Sequence, residues 1–360
     1  MNLRLAFLVM INIRSFTLGF PILRTRRRLL RPLSSYEEVP TRHIHTLQRI
    51  HIDAPVTLQH GSIVVLGQEQ SHYLSSVLRL RAGQFVRIFN GHDGEWLAAL
   101  QSPEIIPDRN QSRKRMAKSS VTISIAVDRP CLRPQPKLKN VTLMFSLIKS
   151  KQMRLLVEKA TELGVTSIWP VISERAQKKN ALTDAELGKL RAVATMATEQ
   201  SERMTVPVLE PVQSLDAALR SFTSTPSASS STTRALFICE ERSENSMPLL
   251  DALVEMEASC SPSSQSGHCD ANCEPIFLVG PEGGWAEGEV DRALVSLSPN
   301  GNPAAEFSTG IILLKIWRVS LGDLILRAET ASICSLSVWN SFRDGQSRSS
   351  SFSGAQRDNR

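Results

Sequence analysis

The sequence predicts a small, mostly β domain followed by an α/β domain with a largely parallel sheet. Three observations predict it. Between Gln48 and Val127, short apolar runs alternate with turn signals. From Val141 onward, strand-like runs alternate with helical periodicity. One of those runs, Ile276 to Val279, ends in the Gly-rich segment Gly280-Pro281-Glu282-Gly283-Gly284.

In the first domain, set at 48–130, Ile63 to Leu66, Gln84 to Phe89 and Trp96 to Leu100 read as strands. Asn90-Gly91 and Asp93-Gly94 supply turns, and His72 to Leu80 reads as one short helix. In the second domain, set at 140–342, Val141 to Ile148 is a continuous apolar run expected of a strand buried on both faces. Met153, Leu156, Val157, Ala160 and Leu163 follow at helical spacing, and Gly164 marks the stop. Val165 to Ile172 is the next strand. Thr183 and Glu186 form a capping-box pattern before a helix carrying Leu187, Leu190, Val193, Ala194 and Ala197. Ala235 to Cys239 and Ile276 to Val279 are further buried strands, giving an α/β architecture. The Ser-rich stretches 221–233 and 259–273 read as surface loops, and 343–360 as a disordered tail.

The first 36 residues carry Arg4, Arg14, Arg24, Arg26, Arg27, Arg28 and Arg31, and no acid precedes Glu37. That composition is expected of a transit peptide, mitochondrial rather than plastid; cytoplasmic residence follows if it is only a basic tail. The net charge of +7 and pI of about 9.3 favour a polyanionic partner. No stretch approaches eighteen uninterrupted apolar residues, so no membrane association is expected. His268, Cys269 and Cys273 match no familiar zinc spacing, and no metal is expected.

Three segments carry candidate chemistry. Leu278 to Gly284 places glycines where a backbone must approach a ligand closely, at the carboxyl end of a strand. It is neither a P-loop nor a dinucleotide fingerprint. Leu321-Gly322-Asp323-Leu324-Ile325-Leu326-Arg327-Ala328-Glu329-Thr330 ends in a helix start. There Glu329 also reads as a carboxylate favoured by the helix dipole. Glu199-Gln200-Ser201-Glu202-Arg203 closes the capped helix, where Glu199 and Arg203 also read as an i,i+4 ion pair.

Together these segments resemble the ribosomal RNA small-subunit methyltransferase E family, of the SPOUT class. The resemblance runs from Gln48 to Phe342. It includes His72-Tyr73-Leu74 with Val77-Leu78-Arg79, Phe89-Asn90-Gly91, Glu158 to Val165, Ser173-Glu174-Arg175, and the three segments above. It implies a trefoil-knot methyltransferase domain behind an N-terminal PUA-like β-barrel that binds RNA. It further implies S-adenosylmethionine as cofactor, methylation of uridine N3 in small-subunit ribosomal RNA, and a homodimer. Two features depart from the family pattern. Leu324 stands where the family carries an arginine, and the interval from Gly284 to Leu321 is long, with 299–315 read as an insertion, either a loop that the domain could lose or a segment absent from the true transcript.

On this resemblance the cofactor would be held by Leu278, Val279, Gly280, Pro281, Glu282, Gly283, Leu321, Gly322, Ile325 and Leu326. Uridine N3 carries a proton, so a base or an anion-stabilising cation should assist transfer. Arg327 is the expected cation; Glu329, Glu199 and Arg203 are the other candidate catalytic residues. Arg79, Arg81 and Arg87 are candidate RNA contacts in the first domain, and Arg113, Lys114, Arg115 and Lys118 form a basic run behind it. The alternatives are a catalytically inactive RNA-binding protein and a SPOUT enzyme acting on another RNA.

Overall fold

The computed structural model describes residues 41–53, 55–101, 104–105, 121–122, 124–127, 132–136, 139–177, 182–224, 233–240, 243, 245–260, 273–297, 306–308 and 313–355. The proposed transit segment 1–36, the basic run at 113–118, and His268 with Cys269 lie outside them.

After a short helix α1 (Thr41–Ile44), the first domain is built on a five-stranded sheet. Its strands β1 (Arg49–His51), β2 (Ile63–Val65), β3 (Phe85–Phe89), β4 (Glu95–Leu100) and β7 (Ser124–Val127) run in the order β1-β3-β4-β7-β2. A small ribbon, β5 (Glu104–Ile105) with β6 (Val121–Thr122), lies beside it. The β3–β4 hairpin follows from the turn chemistry, with Gly91 and Gly94 both at positive φ. Ile50, Val64, Leu74, Val86, Ile88 and Ala98 form the core. The expected helix from His72 to Leu80 begins earlier, as α2 (Gln68–His72), and becomes a π-helical turn at Tyr73–Val77. Strand β1 escaped the sequence reading because it is three residues long and pairs with a strand 38 positions later, Arg49 with Arg87.

The second domain contains a sheet with the path β10-β9-β8-β14-β12-β16-β13. Its principal strands β8 (Thr142–Ser146), β9 (Ser167–Ile172), β12 (Thr233–Cys239), β14 (Cys273–Val279) and β16 (Leu313–Ser320) are all parallel. The short β10 (Val208–Leu209), β11 (Gln213–Ser214) and β13 (Met247–Pro248) extend the edges in parallel, while β15 (Glu306–Ser308) pairs antiparallel with β16. Both faces are covered, as the apolar runs require. Leu143, Phe145, Phe237 and Val279 pack with α3 (Ser150–Glu162), α4 (Asp184–Gln200), α6 (Leu249–Cys260) and α8 (Ala328–Ala355). Met144, Leu236 and Leu278 pack on the other side with α5 (Leu215–Ser224) and α7 (Glu289–Val295). The capping box forms as expected: Thr183 Oγ1 accepts from Glu186 N, and Thr183 N donates to the Glu186 carboxylate.

Three boundaries change. The segment 299–315 read as an insertion overlaps the sheet, because Leu313 to Lys315 open β16 and pair with Thr233 to Ala235 of the central strand. Helix α8 continues to Ala355, through most of the expected tail; extending an existing helix costs far less than nucleating one. The expected loops are shorter than read, since 221–224 end α5, 259–260 end α6, and Thr233 and Cys273 open strands. Among the described residues, no helix is long and apolar enough to cross a membrane.

A buried ionic cluster joins the two domains. Arg49 Nε donates to Glu95 Oε1 at 2.6 Å, and Arg133 Nε donates to Glu95 Oε2 at 2.8 Å. Arg49 also donates to the carbonyls of Thr198, Glu199 and Arg203 at the end of α4. Arg87 binds Glu202 here and is 3 % exposed, so it is not an RNA contact. Burial pushes the Glu95 carboxyl up, but the hydrogen bonds from Arg133 and Arg49 outweigh it and hold the pKa below the usual value. A carboxylate with a depressed folded pKa stabilises the fold above its unfolded pKa of about 4.3, and loses that contribution as pH falls through the folded value. Unfolding measured from pH 7 to pH 3 should therefore show an acid slope that Glu95→Gln makes shallower. Glu199, raised by burial, titrates with the opposite sign, so the comparison of variants isolates Glu95.

Candidate active site

Strand order decides where the motifs meet. β12 lies between β14 and β16, with Cys239 opposite both Val279 and Val319. The carboxyl ends of three strands therefore stand side by side, and the segments beginning at Glu240, Gly280 and Leu321 leave from one edge. Such an edge is the usual ligand position in open α/β sheets.

The Gly280 loop is anchored from below. Trp285 lies under Gly280, where an added Cβ would stand 3.0 Å from the indole and push the ring aside by a few tenths of an ångström. Trp285 Nε1 donates to Cys239 O at 3.3 Å. The buried Glu289 carboxylate accepts from Ala286 N at 2.9 Å and from Glu174 N at 2.6 Å, tying this loop to the one after β9. Arg175 Nη1 donates to Gly283 O at 3.1 Å, so the Ser173-Glu174-Arg175 motif braces the glycine motif. Arg318 of β16 donates to Glu240 and, at 2.6 Å, to Asp291, holding the third loop against α7. Sequence reading did not single out Trp285, Glu289 or Arg318 for these roles. Only the early-helix position of Glu289 hinted at one.

The expected cofactor residues gather here. Leu278 and Val279 end β14 in the core, Pro281 is buried, and Gly283 is exposed. Leu321 and Leu326 pack on the core edge, Gly322 takes φ 122°, and Ile325 is exposed. Arg327 takes the N-cap position of α8, its carbonyl accepting from Ala331 N at 2.8 Å, and its side chain is exposed. Glu329 sits in the first turn and is buried. Glu282 Oε2 and Glu329 Oε2 are buried and lack a hydrogen-bond partner among the described residues. Unsatisfied buried acceptors are costly and call for an explanation such as a ligand.

Glu199 and Arg203 are placed differently. The helix ends at Gln200, and the i,i+4 pair does not form. Glu199 Oε1 accepts from His51 N at 2.9 Å, and Arg203 Nη1 donates to Thr161 O at 2.6 Å. Burial lowers the Arg203 pKa to about 10. Glu199 thus bonds the first domain through its side chain, while Arg203 ties α3 through its guanidinium and accepts from Arg49 through its carbonyl.

Comparison with known proteins agrees with this arrangement. Residues 134–296 match a family described as an RNA methyltransferase domain, and residues 66–105 match an RNA methyltransferase PUA domain. The chain is 27% identical over 293 residues to the ribosomal RNA small subunit methyltransferase E of Rickettsia conorii, covering 80% of this chain and 93% of that protein. It is 27% identical over 277 residues to the protein of the same name from Synechocystis, covering 77% and 72%. The crystal structure of a ribosomal RNA small subunit methyltransferase E from Neisseria gonorrhoeae, bound to S-adenosyl methionine, shares the fold. Its TM-score is 0.56 at 23% identity, over 82% of this chain and 97% of that one. A Legionella pneumophila methyltransferase in complex with the same cofactor gives a TM-score of 0.53 at 23% identity, over 81% and 97%.

Proposed function

Because the chain belongs to the ribosomal RNA small subunit methyltransferase E family, we propose that it transfers a methyl group from S-adenosylmethionine to N3 of a uridine in small-subunit ribosomal RNA. The observation that carries this reading is that the Gly280 and Leu321 loops leave one edge of the sheet, and that Glu282 Oε2 in the first and Glu329 Oε2 just after the second are buried without a hydrogen-bond partner among the described residues. The cofactor supplies an electrophilic methyl on a sulfonium, and it carries an ammonium, an amine and hydroxyls. A donor-rich cation of this kind fits acceptors that the chain leaves unsatisfied.

In this reading, backbone groups of Val279 to Gly283 and of Leu321 to Leu326 hold the cofactor. The chain's main contribution is to align donor and acceptor. Arg327, exposed at the start of α8, faces the RNA and stabilises negative charge on the uracil as the N3 proton leaves. Glu329 is better placed than Glu199 to accept or orient that proton, since the Glu199 carboxylate already accepts from His51 N. The trefoil knot and the homodimer belong to this reading as the family resemblance implies them. The Arg-rich, acid-free leader supports delivery to mitochondria.

Gly283 supplies a discriminating variant. It lies outside the positive-φ set, and an added Cβ would meet only Arg175, at an ordinary 3.8 Å, so the fold itself does not demand glycine there. Gly283→Val should therefore melt close to the unsubstituted protein, yet bind S-adenosylmethionine at least about tenfold more weakly if the cofactor lies against this loop. Calorimetry and thermal melting on the same sample check both halves.

The reading as a whole is tested by incubating the protein with labelled S-adenosylmethionine and small-subunit ribosomal RNA, then digesting the RNA for mass spectrometry. 3-Methyluridine at one position is the expected product. Label in a different base, or only in another RNA, would reassign the substrate. Tight RNA binding with no transfer and no cofactor binding would mark an inactive RNA-binding protein.

A further inference from the structure

We propose that Arg79 is a phosphate-binding residue of the RNA interface, kept in a backbone conformation that glycine would adopt more easily because its guanidinium is needed there. This assignment rests on the RNA reading above. Only Arg79 and Glu202, among the described non-glycine residues, take positive φ, at 56° and 61°. A side chain in that region crowds its own backbone, so such positions usually carry glycine. The surrounding domain follows the rule at Gly61, Gly83, Gly91 and Gly94.

The two exceptions differ. Glu202 is accounted for inside the fold, since its carboxylate binds Arg87 and Arg133. Arg79 is exposed, and its guanidinium makes no hydrogen bond or ion pair among the described residues. Its backbone conformation closes an unusual turn. The π-helical turn at Tyr73–Val77 ends with Leu78 N bonded to Tyr73 O, and Leu80 N reaches back to Leu74 O, both at 2.9 Å. Left-handed residues normally close helix ends in this way, and nothing in the closure requires a long cation. π-Turns and strained residues gather at functional sites.

Charge points the same way. From residue 49 to residue 101 the cationic side chains other than histidine are Arg49, Arg79, Arg81 and Arg87. Arg49 and Arg87 are buried in the junction, so the exposed positive charge of this stretch is concentrated at Arg79 and Arg81. Two exposed cations close together in the chain suit the phosphates of an RNA strand.

The test uses the full chain, an in vitro transcript of small-subunit ribosomal RNA, and the variants Arg79→Gly and Arg79→Lys. Arg79→Gly should melt at the same temperature or about 2–4 °C higher. Its affinity for the transcript should fall about tenfold, and the slope of log affinity against log salt should become shallower by about 0.7–0.9. Arg79→Lys should keep that slope, and both variants should bind S-adenosylmethionine as before. A less stable Arg79→Gly with unchanged RNA affinity would make Arg79 a structural residue and overturn the assignment. So would an unchanged salt slope. If the unsubstituted protein neither binds nor methylates the transcript, the RNA reading and this assignment fall together; activity there with an unaffected Arg79→Gly removes the assignment alone.

Discussion

Replacing Arg49 by methionine should lower the free energy of unfolding by about 3–5 kcal/mol, the usual cost of leaving a buried charge without its partner. Glu95 is 1 % exposed and would keep only Arg133, itself a third exposed, and the more distant Arg87 at 3.6 Å. The same substitution strips donors from the carbonyls of Thr198 and Glu199, in the last turn of α4, and of Arg203 just beyond it. Arg133→Gln is the control. Its side chain is partly solvated, so its loss should cost less than about 1 kcal/mol. Denaturant unfolding of the two variants checks the ranking. Equal costs would mean that the cluster is not what joins the domains.

Arg327→Ala should lower single-turnover methylation by about a hundred- to a thousandfold, the typical effect of removing one group that stabilises developing charge. Stability should change by less than about 0.5 kcal/mol. The Arg327 carbonyl, which alanine also supplies, makes the bond to Ala331 N, while the exposed guanidinium makes none among the described residues. Cofactor affinity should stay near that of the unsubstituted protein. A combined fall in melting temperature and cofactor affinity would instead make Arg327 a brace for the loop. Turnover near normal would remove it from the chemistry.

How much of this was legible in the sequence varied with the range of the interaction. Local signals carried through. The Thr183–Glu186 capping box, the Gly164 stop and the Asn90-Gly91 turn depend on neighbours within a few residues, and each forms as read. The alternation that buries Leu143 and Phe145 on one face and Met144 on the other is also local, which is why the parallel sheet could be foreseen. The Gly280 and Leu321 segments were recognised by residue type, and they do share one edge of the sheet.

The sequence by itself thus determined the two-domain α/β plan, four of the five principal parallel strands (β8, β9, β12 and β14), and the motifs at the site. Only the tertiary structure decided which charged residues serve the fold and which stay available. Arg79 and Arg87 look equivalent in the sequence, yet one is exposed and the other buried against Glu95 and Glu202. Glu199 and Arg203 sit at helical spacing, yet each bonds a group far away in the chain, at His51 and Thr161. Leu313 to Lys315 look like part of an insertion until β12 accepts them as a neighbour. The physical reason is the same in each case. Helix, turn and cap energies depend on adjacent residues, whereas the burial of a charge or the pairing of a strand depends on a partner that only the folded chain brings near.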